Sequence, residues 1–312
     1  MRIAVTGANG FVGRATCAAL ADAGHDVTAL VRRPSNGIVG AYEHVIADDN
    51  FASLAVDADA FVLLAARVHV MRDTSADPLA EYRRINVEGS LNVVRAAVRA
   101  GAKRIVFVSS VKALGEGEPG RPWREDDPPT PSDPYGITKL EAEKALAVLG
   151  DQNNIEVVIL RPPLVYGPGV KANFEQLVRA VERRVPLPLG AIDARRSMVY
   201  VGNLADAIRF VATRAEPTNG VFHVTDGDDL SVAQMIRALA QAFDKPARLL
   251  PVPASWLRAA GALTGRSAQV DRLTSPLRMD STRLRTGLGW RPPTTAAEGI
   301  ALTVRAFQEA RR

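Results

Sequence analysis

The sequence predicts an α/β fold, a doubly wound parallel sheet followed by a smaller C-terminal lobe. Through the first half of the chain, short runs of Val, Ile and Leu alternate with helical segments. These runs are continuously apolar, which is typical of parallel strands covered by helices on both faces. After Gly167 the alternation stops, and helices separated by Pro-rich loops follow. This change of pattern predicts the second lobe.

The strands and helices follow in chain order. Apolar runs predict strands at residues 2–7, 26–31, 44–48, 60–66, 104–110 and 155–163, with one more at 220–225. Apolar residues at helical spacing predict helices at residues 11–24, 78–100 and 135–149. Gly24 suits the end of the first helix, because glycine adopts the left-handed conformation easily. Ser231 and Gln234 predict a capping box at the start of a later helix.

Composition excludes several classes of protein. The chain has 312 residues, which suits one large domain or two fused lobes. Its single cysteine, Cys17, excludes a disulfide framework and a Cys-rich metal site, and the four histidines lack metal-ligand spacing. We therefore expect no metal. No apolar run is long enough to span a membrane, and the first one is too short for a signal peptide, which predicts a cytoplasmic protein.

The charge pattern favours a small anionic ligand. The formal net charge is +5, and 33 of the 39 basic residues are arginine. Arginine makes planar, two-pronged contacts with phosphate or carboxylate groups. Because the basic residues are scattered and form no Lys/Arg tract, we do not expect nucleic acid as a partner.

A glycine-rich turn joins the first strand to the first helix. The stretch VTGANGFVG places Gly7, Gly10 and Gly13 there. Such a turn lets the backbone approach a pyrophosphate, while the helix N-terminus directs N–H groups and a positive dipole at it. The sequence therefore predicts a dinucleotide site, and its predicted contacts are Gly7, Asn9, Gly10, Phe11, Val12, Gly13, Ala65 and Ala66.

With the spacing T-G-x-x-G-x-x-G, the chain resembles the extended short-chain dehydrogenase/reductase family. Further blocks carry the resemblance: YRRINVEGSLNVVRAA, FVSSVKALG, EDDPPTPSDPYGITKLEAE, LRPPLVYGPG, RRSMVYVGNLADAI and LGWRPPTTAAEGIA. The resemblance implies a Rossmann-type dinucleotide-binding domain at residues 1–166, to which the chain returns near 196–225. Residues 167–195 and 226–312 would form the substrate-binding lobe. Helices 78–100 and 135–149 resemble those that pair in homodimers of this family.

The end of the second strand bears on the choice of cofactor. NAD-preferring enzymes of this type have an acid there, about 20 residues past the glycines, which binds the ribose 2′-hydroxyl. This chain has Val31 instead, followed by Arg32 and Arg33, which could bind a 2′-phosphate. The prediction is a preference for NADP(H), with NAD(H) as the alternative if both arginines are only solvated. Asp48, at the end of the third predicted strand, is expected near the adenine.

The catalytic candidates are a tyrosine and a lysine four residues apart. Tyr135 and Lys139 share one helix face, so both can approach the same ligand. A nearby cation favours phenolate and would lower the tyrosine pKa from its usual value of about 10. The resemblance implies that Lys139 also holds the nicotinamide ribose, that Ser110 polarises the substrate carbonyl and that Asn86 supports the proton relay. Ser109 remains an alternative to Ser110.

The resemblance also implies the substrate class, nucleotide-diphosphate sugars. Arg196 and Arg278 would then contact the diphosphate, and Asn173 is a further substrate contact. Leu164 stands where relatives often have Asn, which puts one sugar or phosphate hydrogen bond in doubt. Arg67 and His69 follow the fourth strand near the expected mouth of the site, and a solvated loop is the favoured interpretation for both.

Three functions are consistent with these residues. The first is NADP(H)-dependent reduction of the 4-keto group of a nucleotide-linked deoxy- or acetamido-sugar, with UDP as the expected nucleotide, for surface polysaccharide. In the segments AARVHVM, GVKANF and PLPLGAIDARRSMVYV, the chain is similar to bacterial reductases that form UDP-N-acetyl-quinovosamine. The alternative is a UDP-sugar 4-epimerase that retains NAD. The third is an NADP-sensing protein without turnover, which the presence of Ser110, Tyr135 and Lys139 disfavours.

Overall fold

The computed structural model describes residues 1–35, 37–46, 48, 50–68 and 77–311. In chain order, its strands are β1 (Arg2–Thr6), β2 (Asp26–Val31), β3 (Ala41–Val45), β4 (Ala60–Leu63), β5 (Arg104–Val108), β6 (Glu156–Arg161), β7 (Leu164–Tyr166), β8 (Arg195–Arg196), β9 (Met198–Tyr200), β10 (Gly220–His223) and β11 (Leu230–Ser231). Its α-helices are α1 (Phe11–Asp22), α2 (Pro78–Arg83), α3 (Gly89–Arg99), α4 (Pro134–Asn153), α5 (Ala172–Glu182), α6 (Val201–Thr213), α7 (Val232–Ala242), α8 (Ala254–Leu263), α9 (Ser267–Thr274) and α10 (Ala296–Glu309).

Seven strands form one parallel sheet, which confirms the predicted Rossmann-type α/β fold. The strand order is β10-β6-β5-β4-β1-β2-β3. The chain builds outward from β1 to β3, then crosses to β4 on the other side of β1. Ligands of open α/β sheets bind where the order reverses, beyond the carboxyl ends of the strands. The topology therefore places the expected site above β1 and β4.

Helices cover both faces of the sheet. On one face, α1 and α6 pack Leu20 and Ile208 into a core that also contains Val5 of β1. On the other face, α3 and α4 pack Val94 and Leu146 against Phe107 of β5. The central strands are buried on both sides, which explains why their sequences are uninterrupted apolar runs.

The C-terminal part has a separate apolar core. Helices α5, α7 and α10 bring together Phe174, Leu239 and Val304. Ser231 and Gln234 form the predicted capping box at the start of α7. Strand β10 returns to the main sheet beside β6, as expected from residues 220–225. The division into a nucleotide domain and a substrate lobe stays a prediction. Among the described residues, no helix is long and apolar enough to cross a membrane.

The third strand begins and ends earlier than the sequence predicts. β3 covers Ala41–Val45 instead of residues 44–48, of which residue 47 lies outside the described part. After Ile46 the chain leaves the sheet, and the Asp48 carboxylate accepts hydrogen bonds from the N–H groups of Ala52 and Ser53. This local turn, which apolar periodicity does not encode, ends the strand.

Two other elements are interrupted. The predicted helix at 78–100 contains a π-helical turn at Arg84–Glu88, which separates α2 from α3. The predicted strand at 155–163 ends at Arg161, since Pro162 and Pro163 have no N–H group to donate. The chain then continues as β7, which pairs with β9 outside the main sheet.

Candidate active site

A cleft of about 640 Å³ lies where strands β1, β2, β4, β5 and β6 end. It brings together most of the predicted cofactor and catalytic residues: Gly7, Asn9, Gly10, Phe11, Val12, Gly13, Arg32, Ala65, Ala66, Ser110, Tyr135 and Lys139. Three of the predicted residues, Arg33, Asp48 and Asn86, are not part of its described lining. The roles of all these residues stay predictions, although their positions agree with one shared site.

The glycine-rich turn fits a dinucleotide. Gly7 has φ +66°, and a Cβ atom on Gly13 would lie 2.2 Å from the Gly7 carbonyl oxygen. Glycine at both positions thus lets α1 start close against the end of β1. Gly10 is the N-cap of α1, which has no side-chain cap and no acid in its first turn. The N–H groups and positive dipole of this helix end therefore face no competing carboxylate of their own helix, as a pyrophosphate site requires.

Apolar residues form the wall of the cleft near the end of β2. They are Leu30, Ile46 and Phe51, and sequence reasoning missed all three. Phe51 lies in the turn that follows Ile46, with positive φ, and no motif marks it. Only the approach of this turn to β2 in the fold makes it part of the wall.

The two arginines after β2 differ in position. Val31 is buried, whereas Arg32 and Arg33 are both exposed. Of the two, Arg32 lines the cleft. The Asp48 carboxylate accepts hydrogen bonds from the N–H groups of Ala52 and Ser53 and is not part of the described lining. Arg32 is therefore the better placed candidate for contact with the adenine ribose.

Helix α4 carries the tyrosine and lysine into the cleft. Asp133 caps the helix by accepting a hydrogen bond of 2.7 Å from the N–H of Gly136, so Tyr135 lies in the first turn. Lys139 is buried, and its Nζ donates to the Val108 carbonyl oxygen at 2.8 Å. The same Nζ lies 5.9 Å from the centre of the Tyr135 ring. The helix thus presents a phenol and an ammonium side by side, as the spacing predicts.

Ser110 is the serine next to the phenol. The Ser110 hydroxyl lies close enough to the Tyr135 phenol to lower its pKa, and its Oγ accepts a hydrogen bond from the Lys112 N–H at 3.2 Å. Ser109 occupies a different place, because its hydroxyl is buried in the cleft wall and has no hydrogen-bond partner among the described residues. This geometry supports Ser110, and not the buried Ser109, in the carbonyl-polarising role.

The electrostatics of the site differ from the sequence expectation. Burial raises the pKa of Tyr135 to about 12, outweighing the effect of the nearby Ser110 hydroxyl, which lowers it. Burial also lowers the pKa of Lys139 to about 8, against the opposing field of Glu143. The expectation that the lysine brings the tyrosine pKa below its usual value is wrong for the protein alone. Desolvation of the phenolate is the larger effect here.

Asn86 lies in the π-helical turn and is fully buried. Its Nδ2 donates to the Arg67 carbonyl and to the Thr138 hydroxyl, while its Oδ1 accepts from the Arg67 N–H at 2.8 Å. Asn86 therefore ties the loop after β4 to the residue before Lys139. π-turns of this kind are frequent at functional sites. His69, the other residue predicted near the mouth, lies outside the described residues.

The predicted substrate residues lie apart from the described cleft lining. Arg196 Nη1 donates to the carbonyls of Arg272 and Ser275, at 2.6 and 3.0 Å. Arg278 is paired through Nε and Nη2 with the carboxylate of Glu118. Asn173 is exposed in the first turn of α5, and Leu164 is 46% exposed on β7. The structure therefore does not bring the predicted substrate residues Asn173, Arg196 and Arg278 into the described lining of the cleft.

The comparisons with known proteins agree with this geometry. Residues 3–225 match the model of the NAD dependent epimerase/dehydratase family. A UDP-glucose 4-epimerase from Vibrio cholerae is 42% identical over 314 aligned residues, covering 99% of this chain and 96% of the relative.

Two solved structures have the same fold over their whole length. UDP-glucose 4-epimerase from Thermus thermophilus, in complex with NAD, superposes with a TM-score of 0.76 and 26% identity, covering 99% of this chain and all of that one. UDP-glucose 4-epimerase from Thermotoga maritima, with UDP-glucose, superposes with a TM-score of 0.78 and 25% identity, covering both chains fully. The chain belongs to the NAD-dependent epimerase/dehydratase family, as an NAD(P)-dependent oxidoreductase or epimerase of the extended short-chain dehydrogenase/reductase type.

Proposed function

We propose that the protein is a UDP-sugar 4-epimerase that works with a retained NAD. The main support is the 42% identity to a UDP-glucose 4-epimerase along nearly the entire chain. The cleft agrees with this function, because one cavity contains both the glycine-rich turn and the Ser110–Tyr135–Lys139 group. This proposal takes the place of NADPH-dependent reduction, which the sequence favours, as the first candidate.

The residues of the cleft have distinct parts in such a reaction. When bound, NAD would supply the hydride acceptor, and then the hydride donor, for C4 of the sugar, and C4 is inverted only if the 4-keto sugar turns its opposite face to the cofactor between the two transfers. Tyr135 takes the proton from the 4-hydroxyl and later returns it, while Ser110 hydrogen-bonds the same oxygen. Lys139 contributes positive charge and an N–H donor for a ribose hydroxyl. A cationic ring bound in the same cleft would favour phenolate and so offset the raised pKa of Tyr135.

The test is turnover of UDP-glucose by the purified protein without added cofactor. We expect conversion to UDP-galactose, and release of NAD when the protein is denatured. The conversion needs no net reductant, since the oxidation and the reduction occur on one sugar. Turnover that requires added NADPH and a 4-keto sugar, together with absence of bound NAD, would instead establish the reductase.

One observation favours the reductase as a second candidate. No acid stands at the end of β2, where Val31 is buried and Arg32 lines the cleft. A 2′-phosphate there would meet a guanidinium and no repelling carboxylate at that position. If the cofactor is NADPH and exchanges at each turnover, the products would be reduced nucleotide-linked deoxy- or acetamido-sugars.

Single alanine variants of the two arginines test this second candidate. If the cofactor is NADPH, Arg32→Ala should weaken NADPH binding about 10-fold or more, the value of a charge-assisted hydrogen bond, and leave NADH binding unchanged. Arg33→Ala is the matched control, since Arg33 is equally charged and exposed but does not line the cleft. Fluorescence titration with both nucleotides measures the effect. Equal loss for NADPH and NADH would argue against a 2′-phosphate contact.

The assembly and location of the protein stay predictions. Helices α2 and α3 and helix α4 correspond to the segments expected in a homodimer interface. A cytoplasmic location and a role in surface polysaccharide synthesis remain expectations from the sequence alone.

A further inference from the structure

We propose that Glu143 and Arg161 form a positioning pair for Lys139. Glu143 supplies the negative charge that keeps the lysine charged, and Arg161 holds that carboxylate so that the ammonium stays directed into the cleft. The proposal rests on the proposed function only in assigning Lys139 to the cofactor ribose. Neither Glu143 nor Arg161 lines the cleft, so the pair would act through the lysine.

The three side chains form one buried group. Lys139 and Glu143 lie one turn apart on α4 and are 2% and 4% exposed. Arg161, the last residue of β6, is 5% exposed. Its Nε donates to one oxygen of Glu143 at 2.9 Å, and its Nη2 donates to the other at 2.5 Å. Both oxygens of the only carboxylate in the group are thus engaged by the arginine.

This arrangement leaves the lysine ammonium free to face the cleft. Among the described contacts, Lys139 Nζ donates to the Val108 carbonyl and forms no ion pair with Glu143. Glu143 therefore acts on the lysine through its electric field, while Arg161 holds the carboxylate away from it. A direct ion pair would instead compete with a ribose hydroxyl for the ammonium hydrogens.

The surrounding groups make Glu143 the main source of negative charge for the lysine. Tyr135 and Glu143 face Lys139 from α4, and the Phe107 ring and Val108 carbonyl face it from β5. Arg161 lies behind Glu143 on β6 and is itself cationic. Burial lowers the pKa of Lys139 to about 8, and Glu143 opposes this effect.

The other titratable groups near Arg161 contribute little negative charge to balance the two buried cations, Lys139 and Arg161. His223 is fully buried, and desolvation and the Arg161 charge lower its pKa to about 4, so it is neutral at neutral pH. The Glu125 carboxylate accepts a hydrogen bond from the backbone N–H of His223, and burial raises the pKa of Glu125. Glu143 is therefore the carboxylate that the two buried cations share.

The proposal predicts opposite effects for the two members of the pair. Glu143→Gln removes the negative charge, so the pKa of Lys139 should fall by about one unit or more. Arg161→Met frees the carboxylate to approach the lysine, so the pKa of Lys139 should rise by about one unit or more. A pair that only supports the fold would not move this pKa in opposite directions.

The pKa can be measured directly by NMR of the protein labelled at lysine Cε. The chain has six lysines, and Lys139→Arg would assign the signal. We expect a titration near pH 8 in the wild type, a lower midpoint in Glu143→Gln and a higher one in Arg161→Met. Glu141→Gln is the control, because Glu141 lies on the same helix and pairs with Arg83 near the surface. That variant should leave the Lys139 midpoint unchanged.

A double substitution keeps the test possible if one of the single variants does not fold. Removing one member of a buried ion pair leaves an uncompensated charge, whereas removing both is tolerated much better. If a single variant does not fold, Glu143→Gln with Arg161→Met should fold and show the lowered midpoint. Unchanged midpoints, or shifts in the same direction, would overturn the proposal. Because the titration needs no turnover, opposite shifts without epimerase activity would refute only the proposed function.

Discussion

Replacing Tyr135 with phenylalanine is expected to lower turnover by about 10²- to 10⁴-fold, the range that general acid–base groups contribute. The substitution removes only the hydroxyl that would exchange a proton with the sugar. It leaves the ring and the Lys139 Nζ contact with Val108 in place, so cofactor binding should remain near that of the wild type. Turnover on UDP-glucose and the amount of NAD released on denaturation measure the two effects separately.

Tyr42→Phe serves as the control for this change. Tyr42 lies on β3 and is 72% exposed, so removing its hydroxyl should affect neither turnover nor stability. Turnover of Tyr135→Phe at the wild-type rate would rule out Tyr135 as the proton carrier. Equal losses of turnover and cofactor binding would show that the hydroxyl acts in binding.

Gly13→Ala is expected to destabilise the start of α1 and to weaken cofactor binding strongly. The added Cβ would lie 2.2 Å from the Gly7 carbonyl oxygen and 2.7 Å from the Ala8 Cα. These are backbone atoms, so relief requires the turn itself to move. Overpacking of this kind costs about 1–3 kcal/mol. If the same energy is lost from cofactor binding, the affinity for the cofactor falls by roughly 10- to 100-fold.

Thermal unfolding and nucleotide titration would measure these two losses. Gly117→Ala is the matched control, since a Cβ atom at Gly117 meets no atom within 4 Å and its φ is not positive. A stable Gly13→Ala protein with unchanged NAD affinity would show that the turn does not hold the pyrophosphate.

Much of the fold could be predicted from the sequence because the relevant signals are local. The uninterrupted apolar runs mark buried parallel strands, and Gly7 and Gly13 occur where the backbone approaches itself too closely for a side chain. Tyr135 and Lys139 share a helix face by their spacing alone. Glu143 continues the same spacing by four more residues, a signal that could have identified it as a neighbour of the lysine.

Other features depend on contacts between distant segments. The apolar wall of the cleft brings Phe51, from the turn after β3, together with Leu30 of β2. The family resemblance predicts that Arg278 contacts the substrate diphosphate. In the structure, Arg278 is paired with Glu118, 160 residues earlier in the chain. No local pattern specifies such a partner.

The sequence by itself determined the α/β fold, the glycine-rich turn and the pairing of Tyr135 with Lys139, because backbone sterics and helix periodicity act over a few residues. Only the tertiary structure determined in which direction the pKa of each of these two side chains is shifted. The pKa of Tyr135 is raised and that of Lys139 lowered because desolvation in the folded cleft disfavours the charged form of each. The packing of α4 against β6 also brings Arg161 into contact with Glu143. Desolvation and long-range pairing depend on which segments pack together, and that is a property of the folded chain.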